Sequence, residues 1–173
     1  MKETELKLIS ELMKNSRRSD RELARAVGVS QPTISRIIGK LEKEGVLKEY
    51  TVIPDFQKLG YNICAITFGR VKDEFRNPPN LDEARGEFVK SFNERAFEVI
   101  LDERGLGMGY DGIIISIHRS YSEYVEFKKW LVQMPFLEGP RLNSFLLDLN
   151  DTVHHRYLTF SYLAKHLLQA HAQ

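Results

Sequence analysis

The chain's 173 residues leave room for one large domain or two small ones, and its 42% hydrophobic and 28% charged residues are ordinary for a globular protein. No apolar run approaches the roughly 20 residues needed to cross a bilayer. The charged start Met1–Glu5 lacks a signal peptide's apolar stretch, and the single cysteine, Cys64, can form no intrachain disulfide, so a cytoplasmic chain with no membrane partner is expected. The net charge of +1 hides an asymmetry: residues 1–50 carry 11 Lys/Arg against 8 Asp/Glu, net +3, and the remainder carries 14 against 16, net −2.

The spacing of Leu6, Ile9, Leu12 and Met13 predicts a first helix from about Glu3 to Lys14. Ser19-Asp20-Arg21-Glu22 reads as a capping box that opens a short second helix with Leu23, Ala24 and Val27 inward. Gly28-Val29-Ser30 predicts a tight turn, with Ser30 capping a third helix that holds Pro32 in its first turn. That helix carries Ile34, Ile37, Ile38 and Leu41 inward and ends near Gly45. Val46–Ile53 reads as a strand stopped by Pro54.

Two helices joined by a Gly-containing turn, the second of them basic, form a helix-turn-helix, and the strand would supply its wing. Within residues 14–40, seven Lys and Arg oppose only Asp20 and Glu22. Such a local basic surface suits a polyanion. The exposed face of the third helix would present Gln31, Pro32, Ser35, Arg36 and Lys40. Gln31 and Arg36 can pair bidentately with adenine and guanine edges in the major groove. Arg17, Arg18, Ser30 and Thr33 suit phosphates, which position without specifying. The expected partner is double-stranded DNA.

The run Glu22–Ser30, then Thr33–Ile38, then Leu41–Leu47 resembles the Lrp/AsnC family, the leucine-responsive or feast/famine transcriptional regulators. Tyr50–Tyr61, with its Leu59-Gly60, is similar to that family's wing and linker. The resemblance is strong over residues 3–71 and weaker to about residue 148.

The second half is legible without it. Tyr61–Val71 reads as a strand, Leu81–Asn93 as a helix with Leu81, Ala84, Phe88 and Phe92 inward, and Ala96–Leu101 as a strand. Asp102–Gly112 reads as a Gly-rich connection and Ile113–His118 as a strand. Ser120-Tyr121-Ser122-Glu123 is a second capping box, opening a helix with Tyr124, Phe127, Leu131 and Met134 inward, and Arg141–Asp148 closes as a strand. The order β-α-β-β-α-β is ferredoxin-like, and the resemblance implies such an effector domain in the same place. Thr152–Leu168 reads as an added helix with Val153, Tyr157, Phe160, Ala164 and Leu167 on one stripe. The expected class is α+β: a winged helix-turn-helix over 1–54, a linker over 55–60, a ferredoxin-like dimerisation and effector domain over 61–150, and a helical extension over 151–173.

Two of these strands are apolar on both sides. Ile63, Ala65 and Val71 alternate with Cys64, Ile66 and Phe68, and Ile113–Ile117 offers no polar face. Helices cover one face only, so the other calls for a partner. A homodimer built sheet on sheet is the economical solution, and assembly onward to a tetramer or octamer stays open.

Gly105-Leu106-Gly107-Met108-Gly109-Tyr110-Asp111-Gly112 precedes no helix, which argues against a dinucleotide site. The Lrp/AsnC resemblance implies an amino-acid effector site at this hairpin, on Gly107, Gly109, Tyr110 and Asp111. Backbone N–H groups would face the carboxylate and Asp111 the ammonium group. The family places a glycine three residues before the aspartate, where this chain has Met108. The five histidines and Cys64 show no metal-ligand spacing, and no nucleophile motif is present, so neither a metal, a cofactor nor catalysis is expected. Two alternatives share the plan. Sirohaem decarboxylases carry a His-x-Tyr-x-Arg-like segment on the second strand, where Phe97–Arg104 has neither His nor Tyr. The other alternative is an architectural protein that coats DNA without choosing sites.

Overall fold

The computed structural model describes residues 1–76, 82–83, 86–87, 89–90, 94, 97–151, 153 and 158–168. It divides into two compact units, Met1–Ile53 with His154–Gln173, and Pro54–Val153.

The first unit holds α1 (Glu3–Lys14), α2 (Asp20–Val27) and α3 (Gln31–Lys43). Ser19 accepts the Glu22 N–H at 3.4 Å while Glu22 accepts the Ser19 N–H at 2.8 Å, so the predicted capping box forms. Gly28 ends α2 at φ 83°, a left-handed turn that a glycine makes without steric cost. Leu8, Leu12, Leu23, Val27, Ile34 and Leu41 bury together, so three amphipathic helices that are marginal alone share one core.

Two expectations fail in this unit. Residues 46–53 form no strand. The N–H groups of Val46 and Leu47 turn back to Leu41 O, at 2.9 and 3.2 Å, and Val52 and Ile53 stay exposed. A β-branched run becomes a strand only when a second strand takes its N–H and C=O groups, and the described residues of this unit offer none. The added helix is also shorter than predicted: α5 spans Ser161–Leu167, and Val153 lies outside it with its N–H bonded to Asp151 Oδ1 at 2.8 Å. Such a side-chain turn competes with helix initiation. Tyr157 of the expected stripe lies outside the described residues, Phe160 is exposed, and Ala164 is buried.

The second unit is a four-stranded antiparallel sheet, β1 (Ile63–Gly69), β2 (Val99–Gly107), β3 (Tyr110–His118) and β4 (Asn143–Asp148), in the order β2-β3-β1-β4. Helix α4 (Tyr121–Val132) joins β3 to β4. The described residues between 82 and 94 are helical, while Leu81, Ala84, Phe88 and Phe92, the expected inner stripe, lie outside the described residues. This is the expected α+β sheet domain. α4 buries Tyr124, Phe127, Trp130 and Leu131. Trp130 replaces Met134 in the predicted stripe, because the helix ends before Met134, which packs partly buried on the same core.

The predicted Gly-rich connection 102–112 is mostly strand. β2 continues to Gly107, and β3 starts at Tyr110. Between them Met108 and Gly109 turn with φ 51° and 81°, the two positive values a type I′ hairpin requires. A register shift between Arg104 and Gly107 accommodates the glycines as an irregularity in the ladder.

The strand alternation separates two faces. Thr67, Ile114 and Ser116 are buried with the α4 side. Opposite them, Leu101, Ile115, Ile66 and Phe145 stand in one register row across all four strands. Phe145 and Leu101 are exposed, at 63% and 39%. The sheet therefore carries an open apolar face, as the two-sided apolar strands implied. No described helix is long and apolar enough to cross a membrane.

Candidate nucleic-acid interface

The α2–turn–α3 arrangement places the predicted recognition residues on one helix. Gln31, Ser35, Arg36 and Lys40 are exposed on α3, opposite buried Ile34, Ile37 and Leu41. Ser30 sits at the cap position, yet its hydroxyl bonds that of Thr33 at 2.8 Å instead of capping the backbone. The Arg36 side chain makes no hydrogen bond or ion pair among the described residues, leaving its guanidinium available to a base edge.

Three other candidates have internal partners. Ser35 Oγ donates to Asp20 Oδ2 on α2, Arg18 pairs with Glu11 of α1, and Lys40 Nζ lies 2.7 Å from Glu5 Oε1 and 3.7 Å from Glu44 Oε1. These contacts hold the three helices together, so Ser35, Arg18 and Lys40 reach DNA only by exchanging a carboxylate for it. Arg17 is exposed, with its N–H bonded to Asn15 Oδ1 at 3.0 Å. Arg21 and Arg25 of α2, counted in the basic surplus but not singled out as contacts, are exposed as well.

Electrostatics tie α1 to α3. The hydrogen bond from Lys40, helped by the Lys2 N–H at 2.8 Å, holds the Glu5 carboxyl below its ordinary 4.5. The same bond raises Lys40 above 10.5. A lowered acid contributes stability above its unfolded pKa and loses it as pH falls through the folded value. A raised base contributes below its unfolded pKa and loses that as pH rises through the folded one. The pair thus contributes fully between pH 4.5 and 10.5. Glu5→Gln should lower the melting temperature near neutral pH and flatten its fall below pH 4.5. Parallel melting-temperature profiles for variant and wild type across that acid range would contradict the assignment.

The hairpin residues lie in the other unit. Asp111 is half-buried and borders a cavity of about 260 Å³ with Val71, Arg76, Asp102, Arg104 and Phe136. Its Oδ2 accepts the Val71 N–H at 2.9 Å and Arg76 Nη2 at 3.1 Å. Gly107, Gly109 and Tyr110 do not line that cavity; the Tyr110 hydroxyl accepts from Asn143 Nδ2, and its ring stands 5.5 Å from that of Phe68. The structure therefore brings only Asp111 of the four to a concave site. It adds Arg76 and Arg104, which the sequence pattern did not single out.

Comparison with known proteins agrees with this division. Residues 1–48 match the family described as winged helix-turn-helix DNA-binding. The HTH-type transcriptional regulator LrpC of Bacillus subtilis is 39% identical over 69 residues, 40% of this chain and 48% of LrpC. The chain thus spans about half the length of this curated relative. In structure, LrpC aligns with a TM-score of 0.68 at 22% identity over 90% of this chain and 99% of its own. An AsnC family regulator from Agrobacterium tumefaciens aligns at 0.70 and 20% identity, over 94% and 99%. A regulator from Neisseria meningitidis, solved as an L-Met complex, aligns at 0.71 and 18% identity, over 94% and 99%. Residues 1–48 thus match a winged helix-turn-helix DNA-binding family, the chain is similar in sequence to HTH-type transcriptional regulators over that part, and its fold is that of the solved Lrp/AsnC-type structures.

Proposed function

We propose that the protein is a sequence-specific DNA-binding transcriptional regulator that works as a homodimer and responds to an amino acid or similar small zwitterion. The observation that carries the reading is α3, whose exposed face offers Gln31 and an unengaged Arg36 while its opposite face is locked in the core. Two such helices on one duplex need a dimer, and the open row through Ile115 and Ile66 supports a sheet-on-sheet contact between protomers. The enzyme alternative finds no support in β2, which lacks the His and Tyr it calls for. Gel-shift titration on DNA upstream of the chain's own gene should give tighter binding than a scrambled duplex of equal length. Equal affinities would favour the architectural reading.

For the effector, the Asp111–Arg76 pair beside the cavity supports an exchange. The ligand's ammonium group takes Asp111 and its carboxylate takes Arg76, so one internal ion pair gives way to two with the ligand. The L-Met bound to the Neisseria relative is a ligand of this chemistry. A hundredfold excess over the dissociation constant should stabilise the protein by about 2.7 kcal/mol, and Asp111→Asn should remove that gain. A thermal-shift screen of all the standard amino acids without a hit would make the regulator ligand-independent.

A further inference from the structure

Helix α1 has two buried faces. Leu8 and Leu12 enter the core shared with α2 and α3, whereas Leu6 and Ser10 are buried outside it. On that second face Ser10 Oγ donates to Ala164 O of α5 at 2.9 Å, and Ala164 is fully buried. Leu6 and Ser10 lie one helical turn apart, so they form a single seat, and the small side chains of Ser10 and Ala164 let the two helices approach closely. Seven residues are too few for a helix to persist alone in water. The order of α5 therefore depends on the seat.

We propose that α5 is a detachable clasp that completes the DNA-binding unit and raises its affinity for DNA. Residues flanking the seat on α1 make the link. Glu5, next to Leu6, holds Lys40 of α3, and Glu11, next to Ser10, holds Arg18 ahead of α2. Fixing α1 from its far side fixes the two ion pairs that orient the helix-turn-helix. When α5 leaves, the Ser10 hydroxyl and the Leu6 side chain meet water, α1 loosens, and recognition residues on α3 lose their support. The clasp shares a unit with residues far from it in sequence, so anything that captures residues 158–168 lowers DNA binding without touching α3.

The test uses the full chain, Ala164→Arg in the full chain, and a chain ending at Val153. Each is read by amide hydrogen exchange and by titration with the upstream duplex. Both variants should exchange faster in α1 and keep wild-type protection in β1 and β3, with DNA affinity reduced roughly five- to tenfold, the effect of one lost buried hydrogen bond. Should the shortened chain fail to fold, Ala164→Arg alone gives the same readouts. Unchanged α1 protection and affinity would overturn the proposal, as would tighter DNA binding, which would make α5 an inhibitor.

Discussion

Arg36→Ala should weaken binding to the specific duplex by about 1–3 kcal/mol and leave binding to random DNA nearly unchanged. The contrast follows from what the other cations of this unit are doing. Lys40 and Arg18 are held by carboxylates, so their charges are partly neutralised before DNA arrives. Arg36 stands on the exposed face of α3, one residue before buried Ile37, with no carboxylate on it among the described residues. A guanidinium placed so can meet guanine O6 and N7 with two parallel hydrogen bonds, a geometry that a lysine cannot reproduce. Titrations of wild type and variant on both duplexes check the difference. Equal losses on both would make Arg36 a phosphate contact, and no loss on either would remove it from the interface.

Neighbouring residues of β3 should behave oppositely when charged. Ile114 is buried against Phe127 and Leu131, so Ile114→Lys puts an ammonium group into the core with no partner and should unfold the sheet domain. Ile115 lies on the other face, paired with Ile66 and Leu101. Ile115→Lys should leave the domain folded, convert the proposed dimer to a monomer, and weaken DNA binding by removing the second recognition helix. Circular dichroism separates unfolding from dissociation, and sedimentation gives the mass. A wild type already monomeric at micromolar concentration would contradict the sheet-on-sheet contact.

What the sequence disclosed was mainly what neighbouring residues decide among themselves. Ser19 with Glu22, Gly28 and Pro32 mark helix boundaries through bonds spanning three or four residues, and α1, α2 and α3 follow them. Alternation likewise marked the two-faced strands, although which face is covered depended on α4. Distant partners were not legible. Residues 46–53 have the side chains of a strand but no second strand among the described residues of their unit. Gly105 and Gly107 suggest a loop, yet pairing with β3 keeps β2 extended to Gly107. From sequence alone Lys40 is a candidate DNA contact and Asp111 a candidate effector contact. Their partners Glu5 and Arg76 each lie 35 residues away in sequence, too far for spacing to reveal.

Hydroxyl-radical footprinting of the full chain on DNA upstream of its own gene is the most direct measurement. Two recognition helices carried by the proposed symmetric dimer should protect two patches on one side of the duplex, about 10.5 base pairs or a multiple apart. Those patches should vanish on scrambled DNA and fade in Arg36→Ala. Protection that runs unbroken along any sequence, or no protection under conditions where the protein is folded, would contradict a sequence-specific regulator.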